Sequence, residues 1–486
     1  MVVSLYTSRV VLSTLGVEDY GLYNVVGGVI TMFAFLNGTL SGATQRFVTY
    51  ELGNGSKQRL KRVFNTSMCI HWIVALIILL LAETGGLWFV YNKLVIPSER
   101  FSAAIWVYQF SVLSTMVLIV SLPYNACIIS HEKMSAFAYI SIIEVVLRLL
   151  VVYLLRLSTF DKLIAYAFLL FLVQLLIQAI YIYYSKQNFE ESHYKFQIDK
   201  EVAKEMVGFT GWSFFGGLAS VGMGQGLNIL LNMFFGPTVN AARAIASQVE
   251  AAIHGFVQNF QTAMNPQIIK NYAANDLKQM HTLVFASCRY SYYLLLMIAL
   301  PIILEAPIIL AVWLEEVPIH TVSFLRITLF IGLANTIATP LMTAANASGR
   351  IKKYQFVVGS ILLLIVPISY IVLKFGSSPE AVLWTYLIVI FIAQGVRLLL
   401  VRGLVHLSIR SFFLLVLSPV FKVTFISFWF PFTCYHYMKD NVMGVLTVIV
   451  ASVISILFTI YCIGINKSER GFLNSKLRNF YKRIST

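Results

Sequence analysis

The stretch Phe235–Ser287, FGPTVNAARAIASQVEAAIHGFVQNFQTAMNPQIIKNYAANDLKQMHTLVFAS, repeats an earlier part of the same chain. Leu15–Ser67, LGVEDYGLYNVVGGVI…SGATQRFVTYELGNGSKQRLKRVFNTS, aligns with it so that Gly16 falls on Gly236 and Phe64 on Phe285, an offset of 220–221. Further along, PYNACIISHEKMSAF from Pro123 meets PLMTAANASGRIKKYQF from Pro340 at an offset of 217–218. Two matches in one order at nearly one offset make spans 1–6 a copy of spans 7–12. Six is an even number, so both copies run through a membrane in the same sense. Parallel repeats of this kind are related by an axis along the membrane normal, and transporter sites lie where the repeats meet.

Composition puts the repeat in a bilayer. Hydrophobic residues make up 58% of the chain and charged residues 12%, about half the charge of a soluble domain. The apolar residues come in blocks of about 20, the length that crosses the hydrocarbon core as a helix. Fourteen blocks fit: 1–15, 20–45, 63–90, 102–130, 135–155, 160–184, 206–235, 238–265, 284–312, 320–347, 352–373, 380–402, 408–435 and 441–464. Unpaired backbone groups are not tolerated in lipid, so the spans must be helices. The expected architecture is all-α and polytopic, with an N-terminal lobe over 1–205, a C-terminal lobe over 206–405, and spans 13–14 with a basic tail over 406–486. The seventh span begins near Met206, and its repeat mate would begin before Met1. The first helix therefore reads as truncated, 15 residues covering only about 22 Å. No cleavable signal peptide is expected, because the first block lacks a basic flank and runs into a second span.

The net charge of +15 does not indicate nucleic acid, because the basic residues lie in short loops. With residues at the very ends of spans counted with the adjoining loop, loops after even-numbered spans and the C-terminal tail hold 23 of the 36 Lys and Arg, loops after odd-numbered spans six, and span interiors seven. By the positive-inside rule both termini are cytoplasmic. Cys69, Cys127, Cys288, Cys434 and Cys462 are scattered without disulfide or metal spacing and read as packing residues.

The segments LGVEDYGLYN (from Leu15) and SGATQRF (from Ser41), within SLYTSRVVLSTLGVEDYGLYNVVGGVITMFAFLNGTLSGATQRF, resemble the opening of bacterial polysaccharide flippases of the Wzx type. That family shares a superfamily with multidrug and toxin extrusion (MATE) antiporters and peptidoglycan-precursor flippases. The resemblance implies a V-shaped pair of six-helix lobes plus two helices, rocking between inward-open and outward-open states in a bacterial inner membrane. It implies an undecaprenyl-pyrophosphate-linked glycan as substrate, for O-antigen, capsule or exopolysaccharide, with the bilayer and polysaccharide polymerase machinery as partners. No enzymatic activity, no nucleic-acid partner, no metal and no cofactor are expected, and coupling is to H+ or Na+.

Such a substrate joins a greasy tail to an anionic pyrophosphate and a polar glycan, so the rare ionisable residues inside spans are the natural candidates. The eighth span carries Asn240, Arg243, Ser247, Glu250, His254, Gln258, Gln261 and Asn265 at spacings of three or four, one face of a helix. That stripe reads either as cavity lining, the reading adopted, or as a polar seam between lobes. Counted from Pro237, Arg243 lies about 9 Å and Glu250 about 20 Å along the helix. Ser8 and Arg9 sit at similar depth in the first span, and two guanidinium groups across a cavity would match a pyrophosphate. Substrate-binding candidates are thus Arg9, Arg243, Ser8, Asn228 and Gln258, with Glu250 and His254 as proton-coupling candidates and Arg46 as cytoplasmic entry. Glu144 and Arg148, four apart, read as a structural pair. Arg326 and Arg397 are placed to snorkel, while Lys422 and Glu83 find no partner by sequence. The glycines of the seventh span read as close-packing sites. Two alternatives stand beside the flippase. A MATE-like exporter of small cationic molecules would line its cavity with carboxylates. A membrane glycan polymerase or ligase would need a large periplasmic loop, and every periplasmic loop here is short.

Overall fold

The computed structural model describes residues 10–11, 14–15, 19, 22–23, 26, 34–92, 94, 96–157, 160–314, 317–437, 442–466, 469–471 and 474–475. Among these there is no strand. The helices are α1 (Ala34–Asn54), α2 (Lys57–Asn92), α3 (Phe101–Ser130), α4 (Met134–Leu157), α5 (Lys162–Asn188), α6 (Lys200–Phe235), α7 (Pro237–Ala273), α8 (Leu277–Leu304), α9 (Ala306–Trp313), α10 (Thr321–Ala347), α11 (Lys352–Lys374), α12 (Glu380–Val405), α13 (Ile409–Tyr437) and α14 (Val442–Thr459). Eleven described helices are long and apolar enough to cross a membrane, matching the predicted third to seventh and ninth to fourteenth spans. The eighth is α7, whose polar stripe lowers its hydropathy, and α1 is the described part of the second. The first span, 1–15, lies almost wholly outside the described residues. α6 and α7 have 36 and 37 residues, about 54 Å each, so they overrun a hydrocarbon core of about 30 Å. The sequence reading cut them short because their polar ends do not register as apolar blocks.

Contacts divide the chain into two compact units, Met1–Gly217 with Tyr272–Ala274, and Leu218–Asn271 with Asn275–Thr486. The first is organised on α3, which packs on α1, α2 and α5; the second on α10, which packs on α8 and α12, with α13 and α14 added against α8. These central helices are the buried ones, α3 at 56% and α10 at 61% of their apolar window against 22% for α4, whose Ile142, Val146 and Leu150 face outward. Asp161 caps α5, accepting from the amides of Leu163 and Ile164 at 3.0 and 3.2 Å, and Asp276 caps α8 through Gln279.

The repeat holds in three dimensions at the predicted offsets. α2 is interrupted by a π turn, Ala82–Gly86, and the corresponding α8–α9 span breaks at Glu305. Each interruption frees backbone carbonyls that lipid would leave unpaired, and each is bridged by a side chain from the central helix of its unit. In the first unit the Tyr108 hydroxyl donates to the Ala82 carbonyl at 2.7 Å. In the second, Arg326, 218 residues later, donates to the carbonyls of Ile303 (2.9 Å) and Leu304 (3.4 Å). Arg326 therefore does not snorkel. Gly86 touches the Tyr108 hydroxyl so closely that a Cβ there would displace it. A second equivalence lies at the helix starts. Arg100, ahead of α3, binds Asp161 (2.5 Å) and Asp19 (2.8 Å through Nε), and His320, ahead of α10, binds Glu380 at 2.5 Å.

Candidate functional site

The polar stripe of α7 belongs to the second unit and is divided along its length. Its first part turns to α6. Arg243 is buried, 8% exposed, and its Nη1 donates to Asn228 Oδ1 at 2.6 Å and to the Gly224 carbonyl at 3.2 Å. Asn228 in turn donates to Gln225 Oε1 at 3.2 Å. The guanidinium is thus held by neutral groups, not by Glu250 as a seam of alternating charge would require. Leaving a charge inside a span with neutral company is costly, which marks Arg243 as more than a packing residue.

The middle of the stripe turns to α10 and α12. The Glu250 carboxylate lies against Gly332, where a Cβ would come within 3.1 Å of Oε1, so the glycine makes room for it. His254 lies one turn further on, and its Nδ1 is buried with no hydrogen-bond partner among the described residues. Tyr386 lies beside Asn335, within electrostatic reach of both Glu250 and Arg243. His254, Asn335, Thr339, Tyr386 and Arg397 line a cavity of about 460 Å³. Arg397 was expected to snorkel from the end of its span. Instead it is buried, and donates from Nε to the Tyr354 hydroxyl at 2.9 Å and from Nη1 to Gln394 Oε1 at 2.5 Å. The last part of the stripe is packing: Gln261 donates to the Thr336 carbonyl (3.1 Å) and Asn265 accepts from Thr343 (2.9 Å). Gln258, on the same face between His254 and Gln261, is exposed. The cavity's Arg397, Tyr386 and Asn335 escaped the sequence reading; only the spacing of Arg397 inside an apolar block gave a signal.

In the first unit the predicted residues have another character. Ser8 and Arg9 lie outside the described residues. Arg46 is buried, its guanidinium 4.5 Å from the Phe47 ring, 4.9 Å from Tyr50 and 5.5 Å from Phe209, a cation–π cage. Glu144 and Arg148 form the predicted pair at 2.7 Å. Glu83 accepts from Gln109 at 3.2 Å. The segment after α5 is strapped to α2 and α3: Arg62 binds Asp199 (3.0 Å), the Lys195 amide donates to Asn65 (3.0 Å), and His131 binds Glu191 (2.5 Å). Glu191 is held below the usual carboxylate range, because the His131 bond and its own backbone amide outweigh a burial that pushes it up. Of the seventh-span glycines, Gly226 is a close approach, a Cβ there meeting Val366 at 2.7 Å, while Gly208, Gly211 and Gly224 have open space.

No family model and no curated protein matches the chain. Solved structures do. A multidrug resistance MATE family transporter of the MOP superfamily, in an outward-facing conformation, superposes with a TM-score of 0.70 at 16% identity, over 83% of this chain and 92% of that one. A MATE structure in a bent conformation gives 0.71 at 16%, over 83% and 91%. An MOP superfamily transporter from Pyrococcus furiosus, described as having a binding pocket of reverse polarity, gives 0.67 at 17%, over 84% and 93%. The chain has the fold of MATE-type transporters of the MOP superfamily.

Proposed function

We propose that this chain is a flippase that carries undecaprenyl-pyrophosphate-linked oligosaccharide repeat units from the cytoplasmic to the periplasmic leaflet of a bacterial inner membrane, both termini cytoplasmic. The observation that carries the reading is Arg243: a buried guanidinium bonded only to neutral groups, with spare N–H donors for phosphate oxygens. Arg397, likewise bonded to neutral groups, adds a second positive centre within the same unit. A cation exporter needs the opposite polarity, and Glu250 is the one carboxylate in this part of the unit among the described residues. The MATE-type fold supports transport as the activity class. Glu250 and His254, adjacent on α7, are the pair assigned to ion coupling, with H+ the first candidate and Na+ the other. Arg9 and Ser8 are assigned to the head group as well, and Arg46 to entry.

The test is made in cells. Deleting the gene is expected to remove surface polysaccharide while unpolymerised repeat units accumulate on undecaprenyl pyrophosphate at the cytoplasmic leaflet. Complementation by the full chain restores export; Arg243→Ala, expressed equally, does not. Normal surface glycan in a strain without a second flippase, together with sensitivity to cationic compounds, would overturn the flippase in favour of the exporter.

A further inference from the structure

The clamps at the helix starts hold one repeat position with different chemistry. Arg100 and His320 are 220 residues apart, and Asp161 and Glu380 are 219 apart, both within the offsets of the repeat. In each unit the clamp joins the start of the central helix, α3 or α10, to the start of its neighbour, α5 or α12. Arg100 Nη1 donates to Asp161 Oδ2 at 2.5 Å, and His320 Nδ1 lies 2.5 Å from Glu380 Oε1. An arginine keeps its charge throughout the physiological range. A histidine gains or loses its charge near neutrality. The first unit is therefore clamped by a permanent ion pair, and the second by one that exists only while the imidazole is protonated.

The surroundings leave that change to the pair itself. The two side chains are 31% and 19% exposed, so protons reach the imidazole from water. The Phe324 ring lies one turn along α10, 6.1 Å between centroids. Other charged groups on the elements that pack here are engaged elsewhere or face outward. Arg326 is committed to the carbonyls of Ile303 and Leu304. Glu305 is buried at the α8–α9 break, and Lys374, which ends α11, is exposed. Glu315 and Glu316 lie outside the described residues. Among the described residues, Glu380 is the one ionic partner of His320. A protonated ring makes a charge-assisted bond to that carboxylate, roughly twice as strong as a neutral one. A neutral ring offers at most a neutral donor.

What the clamp holds gives it a consequence. α10 supplies Asn335 and Thr339 to the cavity of about 460 Å³, and α12 supplies Tyr386 and Arg397. Tyr386 is only six residues past Glu380. A weaker clamp therefore frees the starts of the two helices that carry these polar groups, while the matching helices of the first unit stay tied. We propose that His320 and Glu380 form a pH-dependent clasp, which ties the starts of α10 and α12 together when the imidazole is charged and loosens them when it is neutral. Arg100 and Asp161 are the same clasp made permanent. In the orientation proposed above the clasp faces the periplasm and responds to the pH of that compartment. It does not depend on the identity of the transported molecule.

Amide hydrogen exchange of the purified full-length chain tests the clasp. Each variant is compared with wild type at the same pH, so that intrinsic exchange rates cancel. The two conditions are about pH 5.5 and about pH 8, on either side of the ordinary histidine value of about 6.5. In acid, the first turns of α10 and α12 are expected to exchange alike in wild type and in His320→Arg. In alkali, wild type should exchange there about two- to fivefold faster than His320→Arg, with no difference at the starts of α3 and α5. Glu380→Gln, which has no carboxylate to clasp, should stand in one fixed ratio to His320→Arg at both pH values. Arg100→His should carry the pH-dependent difference into α3 and α5, and it serves as the test if His320→Arg does not fold. A ratio of wild type to His320→Arg that is the same at both pH values would overturn the clasp. So would a pH-dependent rise that persists in Glu380→Gln, or an Arg100→His chain whose first unit does not respond to pH. Loss of flippase activity in cells bears on none of these results.

Discussion

The two units share one plan and spend their charges differently. In the first, charged groups lie mainly toward the helix ends and are paired: Arg100 with Asp19 and Asp161, Arg59 with Glu51 at 3.0 Å, Arg62 with Asp199. Its core cluster around Val107, Tyr108, Val112 and Leu163 from α3 and α5 is apolar, and its buried Arg46 is held among aromatic rings. In the second, Arg243, Arg397, Glu250 and His254 sit inside the helices without an ion pair, around or beside a cavity. Since both copies fold, the unpaired charges of the second are not required by the architecture. On the function proposed above, the ion pairs at helix ends hold the fold and the unpaired charges inside the spans of the second unit serve the ligand.

The sharpest way to break that contrast is to remove one cation from each unit. Arg243→Ala deletes charge-assisted bonds of about 1.5–3 kcal/mol, so export of surface glycan is expected to fall about ten- to a hundredfold with little change in folding. Arg148→Ala in the first unit removes an exposed pair of about 0.2–1 kcal/mol, and export is expected to stay within about twofold. Quantifying surface polysaccharide at matched expression checks both. Equal losses would mean that pairing does not separate structural from functional charge here.

Next in size are the bridges at the two helix interruptions. Tyr108→Phe leaves the Ala82 carbonyl without its donor, at about 1 kcal/mol. Arg326→Leu strips donors from two carbonyls and removes a charged group, expected at about 2–3 kcal/mol. Thermal unfolding of the purified variants should rank them in that order, with Gly86→Ala resembling Tyr108→Phe because the added Cβ displaces the same hydroxyl. If Tyr108→Phe proved the more damaging, the interruptions would not be equivalent, and the repeat would be one of sequence more than of mechanics.

These bridges also show where sequence reading stops. The offset of 217–221 locates both copies, and hydropathy finds the eleven apolar spans, because burial in lipid imposes a period and a length that survive divergence. The face of α7 was legible for the same reason. What each residue of that face touches was not. Gln261 and Asn265 have the same spacing as Glu250 and His254, yet the first two are absorbed by hydrogen bonds to α10, Glu250 lies against Gly332, and His254 alone of the four borders a cavity. Arg326 and Arg397 looked able to snorkel because a sequence gives depth along one helix and nothing about the carbonyls or hydroxyls of its neighbours. Tyr108 and Arg326 occupy one repeat position with one job, but no substitution rule connects a phenol to a guanidinium until the broken helices beneath them are seen.

The smallest predicted effect separates the two clamps at the helix starts. Arg100 holds two carboxylates and His320 one, so Arg100→Ala should destabilise more than His320→Ala. The first clamp also carries a pH signature. Partial burial pushes the Asp161 carboxyl up, but the Arg100 bond and the Ile164 and Leu163 amides outweigh it, and its pKa is lowered. A carboxylate with a depressed folded pKa adds stability that is fully present above its unfolded value, about 3.9, and that is lost as pH falls through the folded one. The pair is solvent-screened, so the contribution is held to about 1 kcal/mol or less. The melting difference between wild type and Asp161→Asn should therefore be constant from neutral pH to about pH 5 and shrink below about pH 4. A difference that instead grew on acidification would mean that Asp161 is destabilising in the folded chain, and that α5 is started by its amide cap alone.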